Sequence, residues 1–185
     1  LNGLSFQDFD MLEGGALEDE FYVVSTQYPI QLRGNDGDDL YLIEFGNLLG
    51  TISVDDNSTS VFDRIELYGT TGDDAWTIDA TSVSLLLQQV FYGEDIEQLA
   101  VWGDDGDDTF DVIPSPTTEM FLDGGDHTTG DTLTVDKQVL VDGYQTVNYV
   151  NFEQTIVQIP AGPRKPRSWA KLVDDFFEWE QGKFD

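Results

Sequence analysis

No cysteine occurs in the sequence, which excludes disulfide staples and thiolate metal sites. Positive charge is scarce. Lys and Arg number 8 against 37 Asp and Glu, a formal net charge of -29. Such a surface repels nucleic acid and anionic lipid, and it repels itself unless cations sit among the carboxylates. No apolar run approaches the roughly 18 residues of a membrane span. The chain opens at Leu1 without Met and without a basic-then-apolar leader, and so reads as a mature or internal piece of something longer. A nucleophile elbow of the Gly-x-Ser-x-Gly type is also missing. The single histidine, His127, sits in an acidic turn and reads as a solvated loop residue without an acid–base partner. Carboxylate pairs are numerous, but they recur in equivalent turns, which argues for a structural use. Of the few basic residues, Arg33 and Arg64 read as partners of surface acids. The expectation is a chain that is not an enzyme.

What is present is a repeated pattern. Hydrophobic residues make up 39% and aromatics 12%, enough for a packed core in a chain of this length. The acidity is concentrated. Residues 1–160 hold 3 basic and 32 acidic side chains, whereas 161–185 hold five of each. Within 1–160 a Gly-rich acidic turn recurs before an alternating strand: Gly34 begins GNDGDDLYLI, Gly69 GTTGDDAWTI, Gly103 GDDGDDTFDV, Gly124 GGDHTTGDTLTV with two extra residues, and Gly14 the weaker GGALEDEFYV. After the turns the inward candidates are Phe21 and Val23, Tyr41 and Ile43, Trp76 and Ile78, Phe110 and Val112, Leu133 and Val135. Before them stand Ile30 and Leu32, Ile65 and Leu67, Leu99 and Val101, Met120 and Leu122. Period two on both sides of a turn predicts strand, turn, strand with one buried face.

A second motif marks a longer period. Phe6-Gln-Asp-Phe, Phe62-Asp-Arg-Ile, Ile96-Glu-Gln-Leu and Phe152-Glu-Gln-Thr share one shape. Phe6 to Ile96, Phe62 to Phe152 and Gly34 to Gly124 are each 90 residues apart. This predicts an internal duplication, about 1–90 and 91–160, in a stacked architecture whose coils cover one another's open faces. The turns are 20, 35, 34 and 21 residues apart. About 20 residues suits one coil, and the longer gaps leave room for an extra hairpin at Ser82–Tyr92 and at Leu48–Val54. Asp55-Asp-Asn-Ser58 reads as a polar loop. The competing architecture, an antiparallel sandwich with acidic turns, accounts less well for turns that recur in phase.

The turns carry the chemistry. Glycine tolerates positive φ, so a Gly-x-x-Gly turn can curl and aim carbonyls inward, and the Asp that follows adds a carboxylate. Together these are the hard oxygen donors that Ca2+ takes. The plainer reading is that Asp and Gly are good turn residues. Gly34-Asn-Asp-Gly-Asp-Asp-Leu-Tyr-Leu42 and Gly103-Asp-Asp-Gly-Asp-Asp-Thr-Phe-Asp111 resemble the nonapeptide G-G-x-G-x-D-x-U-x of the RTX, or haemolysin-type, calcium-binding repeats. That resemblance implies a parallel β-roll with Ca2+ between coils. It implies sixth-position ligands Asp19, Asp39, Asp74 and Asp108, with Asp131 their counterpart in the longer turn. Asp36, Asp105 and Asp126 are further candidate ligands in the same turns. This sequence departs from the pattern: the second Gly is Asn35, Thr70 or Asp104 in three copies, and the fourth-position Gly is Leu17 in the first. Single motifs spread along the chain are expected to line one edge of the roll only.

The remainder differs in kind. Ala161–Arg167 is a Pro-containing basic linker, and 168–182 predicts an amphipathic helix with Ser168 as N-cap. That helix is expected either to cap the stack or to dock on another domain or subunit of a larger surface assembly through Trp169, Phe176, Phe177 and Trp179. The whole therefore reads as an all-β, repetitive parallel β-roll or β-helix-like stack (1–160), then a linker (161–167) and a short C-terminal α-helix. Its expected role is a calcium-binding structural or adhesive module of a large secreted or cell-surface bacterial protein. Weak multi-carboxylate sites suit near-millimolar extracellular calcium. The alternative is a non-catalytic accessory module or subunit of an extracellular enzyme or assembly.

Overall fold

Short alternating segments rich in β-branched and aromatic residues form fifteen strands among the described residues, several of them joined by glycine-rich turns. The computed structural model describes residues 9–57, 62–136 and 144–158. The first seven strands are β1 (Met11–Glu13), β2 (Glu20–Val23), β3 (Ile30–Arg33), β4 (Leu40–Glu44), β5 (Ile52–Val54), β6 (Arg64–Tyr68) and β7 (Ala75–Ile78). A hairpin of β8 (Ser82–Leu85) and β9 (Gln88–Tyr92) follows. The chain continues with β10 (Gln98–Trp102), β11 (Thr109–Val112), β12 (Glu119–Asp123), β13 (Thr132–Asp136), β14 (Val147–Val150) and β15 (Gln154–Gln158).

Successive strands alternate between two sheets, except that β7, β8 and β9 all lie in the same one. One has nine strands in the order β1-β3-β5-β9-β8-β7-β11-β13-β15, the other six in the order β14-β12-β10-β6-β4-β2. Pairing is parallel throughout except within β7-β8-β9. The result is an all-β solenoid of about six turns. The predicted C-terminal helix and its anchors Trp169, Phe176, Phe177 and Trp179 lie outside the described residues.

Parallel register stacks each inward side chain on its counterpart one coil away. In the six-stranded sheet Tyr41, Ile65, Leu99 and Met120 form one buried row, and Ile43, Leu67, Val101 and Leu122 the next. Across the core, Trp76, Phe110 and Leu133 face them above Ile78, Val112 and Val135. All these residues are inward in the alternation read from sequence. Only Phe21, Val23 and Ile30, in the first coils, remain partly buried.

The two long gaps between turns have different causes. The 34 residues from Gly69 to Gly103 hold one coil plus the expected hairpin at Ser82–Tyr92. Its Leu85 is core, while Leu86 and Leu87 form the exposed tip. Among the described residues, the stretch from Gly34 to Gly69 holds no extra hairpin. Leu48 and β5 are buried parts of an ordinary coil, and this gap is one and a half coils: β4, β5 and β6. The half coil moves later turns to the opposite edge. Turns 14–19 and 34–39 lead from the nine-stranded to the six-stranded sheet, whereas turns 69–74, 103–108 and 124–131 lead back. The expectation of a single acidic edge is thereby corrected to two.

Candidate metal centre at the stacked turns

At each acidic turn (14–19, 34–39, 69–74, 103–108 and 124–131) the chain crosses between sheets in six to eight residues, and its backbone N–H groups there need acceptors. The Asp-Asp doublets supply them. On the first edge the Asp19 N–H donates to Asp39 Oδ1 (2.7 Å) and the Asp39 N–H to Asp63 Oδ1 (2.8 Å). The Asp63 N–H continues the series to Glu97 Oε2 (2.8 Å). On the second edge the Asp74 N–H donates to Asp108 Oδ1 (2.8 Å), the Asp108 N–H to Asp131 Oδ1 (2.7 Å) and the Asp131 N–H to Glu153 Oε2 (2.7 Å). These are two four-membered carboxylate ladders on opposite edges. The other member of each doublet reaches the opposite way. Asp38 Oδ1 accepts the Phe62 N–H (3.0 Å), Asp73 Oδ1 the Asp107 N–H (2.9 Å), and Asp107 Oδ1 the N–H groups of Thr128, Thr129 and Gly130 (3.0, 2.5 and 3.0 Å). The carboxylates of Asp38-Asp39 and Asp107-Asp108 thus clamp the coil before and the coil after, while those of Asp73-Asp74 reach only the coil after.

The inner carboxylates leave one oxygen over. Asp39, Asp108 and Asp131 are all but fully buried, and the Oδ2 of each has no hydrogen-bond partner. These oxygens lean on the first glycine of their own turn. A Cβ on Gly34, Gly103 or Gly124 would come within 3.0 Å of Asp39, Asp108 or Asp131 Oδ2 respectively. The first glycine is therefore demanded by close approach. Positive φ occurs instead at the second position (Asn35 at 75°, Asp104 at 74°, Gly125 at 92°) and the fourth (Gly37 at 145°, Gly106 at 148°). Asn and Asp tolerate the left-handed region, which accounts for Asn35 and Asp104 in place of a second glycine, whereas Thr70 does not adopt a positive φ.

Asp39 belongs to a cluster that is buried throughout. Ligand-capable oxygens of Asp39, Asp56 and Asp63 lie within 4.8 Å of one another, and all three residues are buried. Tyr41 OH donates to Asp56 Oδ1 (2.5 Å). Asp39 Oδ2 and Asp56 Oδ1 converge on the point that a Gly34 Cβ would occupy. Burial, reinforced by the charges of Asp56 and Asp19, raises the Asp39 carboxyl above its usual range. Burial likewise pushes Asp108 up to about 7 and raises Asp131, with Glu153's charge adding to it. The neighbouring Asp107, held by the N–H groups of Thr129 and Gly130, falls to about 2.

The sequence-predicted residues divide accordingly. Asp39, Asp108 and Asp131 each keep one buried oxygen without a hydrogen-bond partner. Asp74 has both oxygens engaged inside its own turn, Oδ2 by the Thr70 N–H (2.7 Å) and Oδ1 by the Thr70 hydroxyl (2.9 Å). Asp19 Oδ2 accepts the Gly15 N–H (2.6 Å). Asp36, Asp105 and Asp126 stand at exposed turn tips. Asp105 and Asp126 are paired through the backbone on one edge, with Asp36 on the other. Arg33 pairs with Asp55 (3.1 Å) and Glu13 (3.9 Å), and Arg64 with Glu66 (2.7 Å).

The sequence reading missed Asp56, Asp63, Glu97 and Glu153. Three of them, Asp63, Glu97 and Glu153, are the acidic second residue of the Phe62, Ile96 and Phe152 motif, so the signal was there. Asp56 sits in the stretch read as a polar loop, yet it is fully buried, because Tyr41 and the Asn35 N–H bonded to its own carbonyl hold it inward. Compared with models of known families, with curated proteins and with solved structures, the chain matches none.

Proposed function

We propose that this chain is a calcium-binding structural module of a larger secreted or cell-surface protein, a rigid non-catalytic stack whose folding depends on extracellular cations. The observation that carries this reading is the Asp39–Asp56–Asp63 cluster: three carboxylates buried within 4.8 Å of one another, one oxygen of which has no hydrogen-bond partner. Like charges gathered out of water need protons or a cation, and an all-oxygen donor set favours a hard ion such as Ca2+. Asp39, Asp56 and Asp63 would hold the ion, and carbonyls of the turn would complete its shell. The ion supplies cross-linking of adjacent coils.

The test is a thermal melt in chelator, then in millimolar Ca2+, with Mg2+ as control. Ca2+ is expected to raise Tm, because an ion bound only by the folded state at a hundred times its Kd adds about 2.7 kcal/mol. Asp39→Asn should cross this behaviour. Its carbonyl still accepts the Asp19 N–H and its buried charge is gone, so it melts higher than wild type in chelator and loses the Ca2+ response. A folded wild-type protein indifferent to Ca2+ would overturn the reading and leave the doublets as turn clamps alone.

A further inference from the structure

We propose that His127, Asp131 and Glu153 form a second and chemically different metal site, for a borderline divalent ion of the Zn2+ class. The site grows out of the ladder on the second edge. Asp131 Oδ1 is occupied by the Asp108 N–H (2.7 Å) and Glu153 Oε2 by the Asp131 N–H (2.7 Å). Each carboxylate therefore keeps one oxygen, and both of these face the only imidazole in the chain. His127 Nδ1 lies 3.7 Å from Asp131 Oδ2, and Nε2 lies 3.4 Å from Glu153 Oε1. Asp131 is fully buried and its Oδ2 has no hydrogen-bond partner, a buried polar atom that faces His127.

The loop is held in place for the purpose. The two residues by which turn 124–131 exceeds its counterparts make room for His127. The three amides that follow it, those of Thr128, Thr129 and Gly130, are pinned by Asp107. One ligand atom from each of the three residues lies within 4.8 Å of the others. Ligands at about 2.0–2.2 Å from one ion stand closer than that. The partly exposed His127 and Glu153 therefore draw in onto the fixed Asp131. An imidazole beside two carboxylates selects Zn2+ and its neighbours over Ca2+, which prefers oxygen alone. The inference is independent of the calcium reading, whose cluster lies on the other edge.

The test uses tag-free, metal-stripped full chain in millimolar Ca2+, titrated with Zn2+ alone by calorimetry, with the His127 ring followed by NMR. Saturable binding of a single Zn2+ and a shift of the ring signals are expected. His127→Ala, a change at a partly exposed position, should abolish binding without unfolding the stack. Glu153→Gln, which keeps an acceptor for the Asp131 N–H, should weaken binding at least about tenfold. Asp39→Asn should leave it intact while abolishing the Ca2+ response. Three results would each overturn the proposal: no saturable Zn2+ binding by folded protein, undiminished binding in His127→Ala, or His127 ring signals that do not move in excess Zn2+.

Discussion

Asp107 and Asp108 are adjacent in sequence and opposite in electrostatics, because one sits outside the turn among N–H donors and the other inside it against a glycine. Asp107 is held near 2 and Asp108 near 7, against 3.8 for the free side chain. Their effects on stability have opposite signs. A raised carboxyl binds its proton more tightly when folded, so between pH 3.8 and about 7 the folded state holds more protons and stability falls as pH rises. A depressed carboxyl contributes stability above 3.8, and this is lost as pH falls toward about 2. In chelator, Tm is therefore expected to peak on the acid side of neutrality. Asp108→Asn should reduce the fall toward neutral pH by no more than about 1.4 kcal/mol per pH unit. Asp107→Asn should leave that limb alone and soften the acid limb. Melts across pH 2–8 check both, and an unchanged neutral limb in Asp108→Asn would show that its carboxyl is already compensated. The doublets were legible in the sequence as acidic turn residues. Their divided roles were not, since each partner is 21 to 34 residues away and no local spacing encodes it.

At the level of the turn, the glycines separate into kinds that the sequence does not distinguish. A Cβ at Gly103 would come within 3.0 Å of both Asp108 Oδ2 and the Gly124 carbonyl of the next coil, whereas at Gly72 the nearest atom is the Thr70 hydroxyl at 3.8 Å. Gly103→Ala is expected to cost about 1–3 kcal/mol or more through forced displacement of backbone. Gly72→Ala, which lies outside the positive-φ positions, should be neutral or stabilising by about 0.4–1 kcal/mol. Denaturant titration of the two variants side by side decides it, and equal losses would refute the close-approach account of the first glycine. Strand alternation was the most legible feature of this chain, because period two follows directly from the pleat. The hairpin tip was less so. In Leu85-Leu86-Leu87 the first residue is core and the next two are exposed, and Leu86 takes a φ of 58° where a type II′ turn ordinarily takes glycine.

At the scale of the whole stack, the half coil between Gly34 and Gly69 governs the layout. The nearly equal gaps of 35 and 34 residues concealed two different insertions, and only counting strands reveals that one of them exchanges the edges. Segments related by the 90-residue period consequently lie in opposite sheets, β2 with β11 and β4 with β13. Each edge acquires its own ladder: Asp19 to Glu97 on the first, Asp74 to Glu153 on the second. In a stack where coils contact only their neighbours, stability is a sum of local terms, and damage stays where it is made. Asp63→Ala removes the acceptor for the Asp39 N–H, and a buried donor left without a partner costs about 1–3 kcal/mol. Native-state hydrogen exchange should then quicken at the first-edge turns 14–19 and 34–39 and along β2, β4 and β6. Protection of β11, β13 and the turns at 103–108 and 124–131 should stay as in the wild type. If instead every amide from residue 11 to 158 lost protection together, the two ladders would act as one cooperative unit, and the edge exchange would have no energetic meaning.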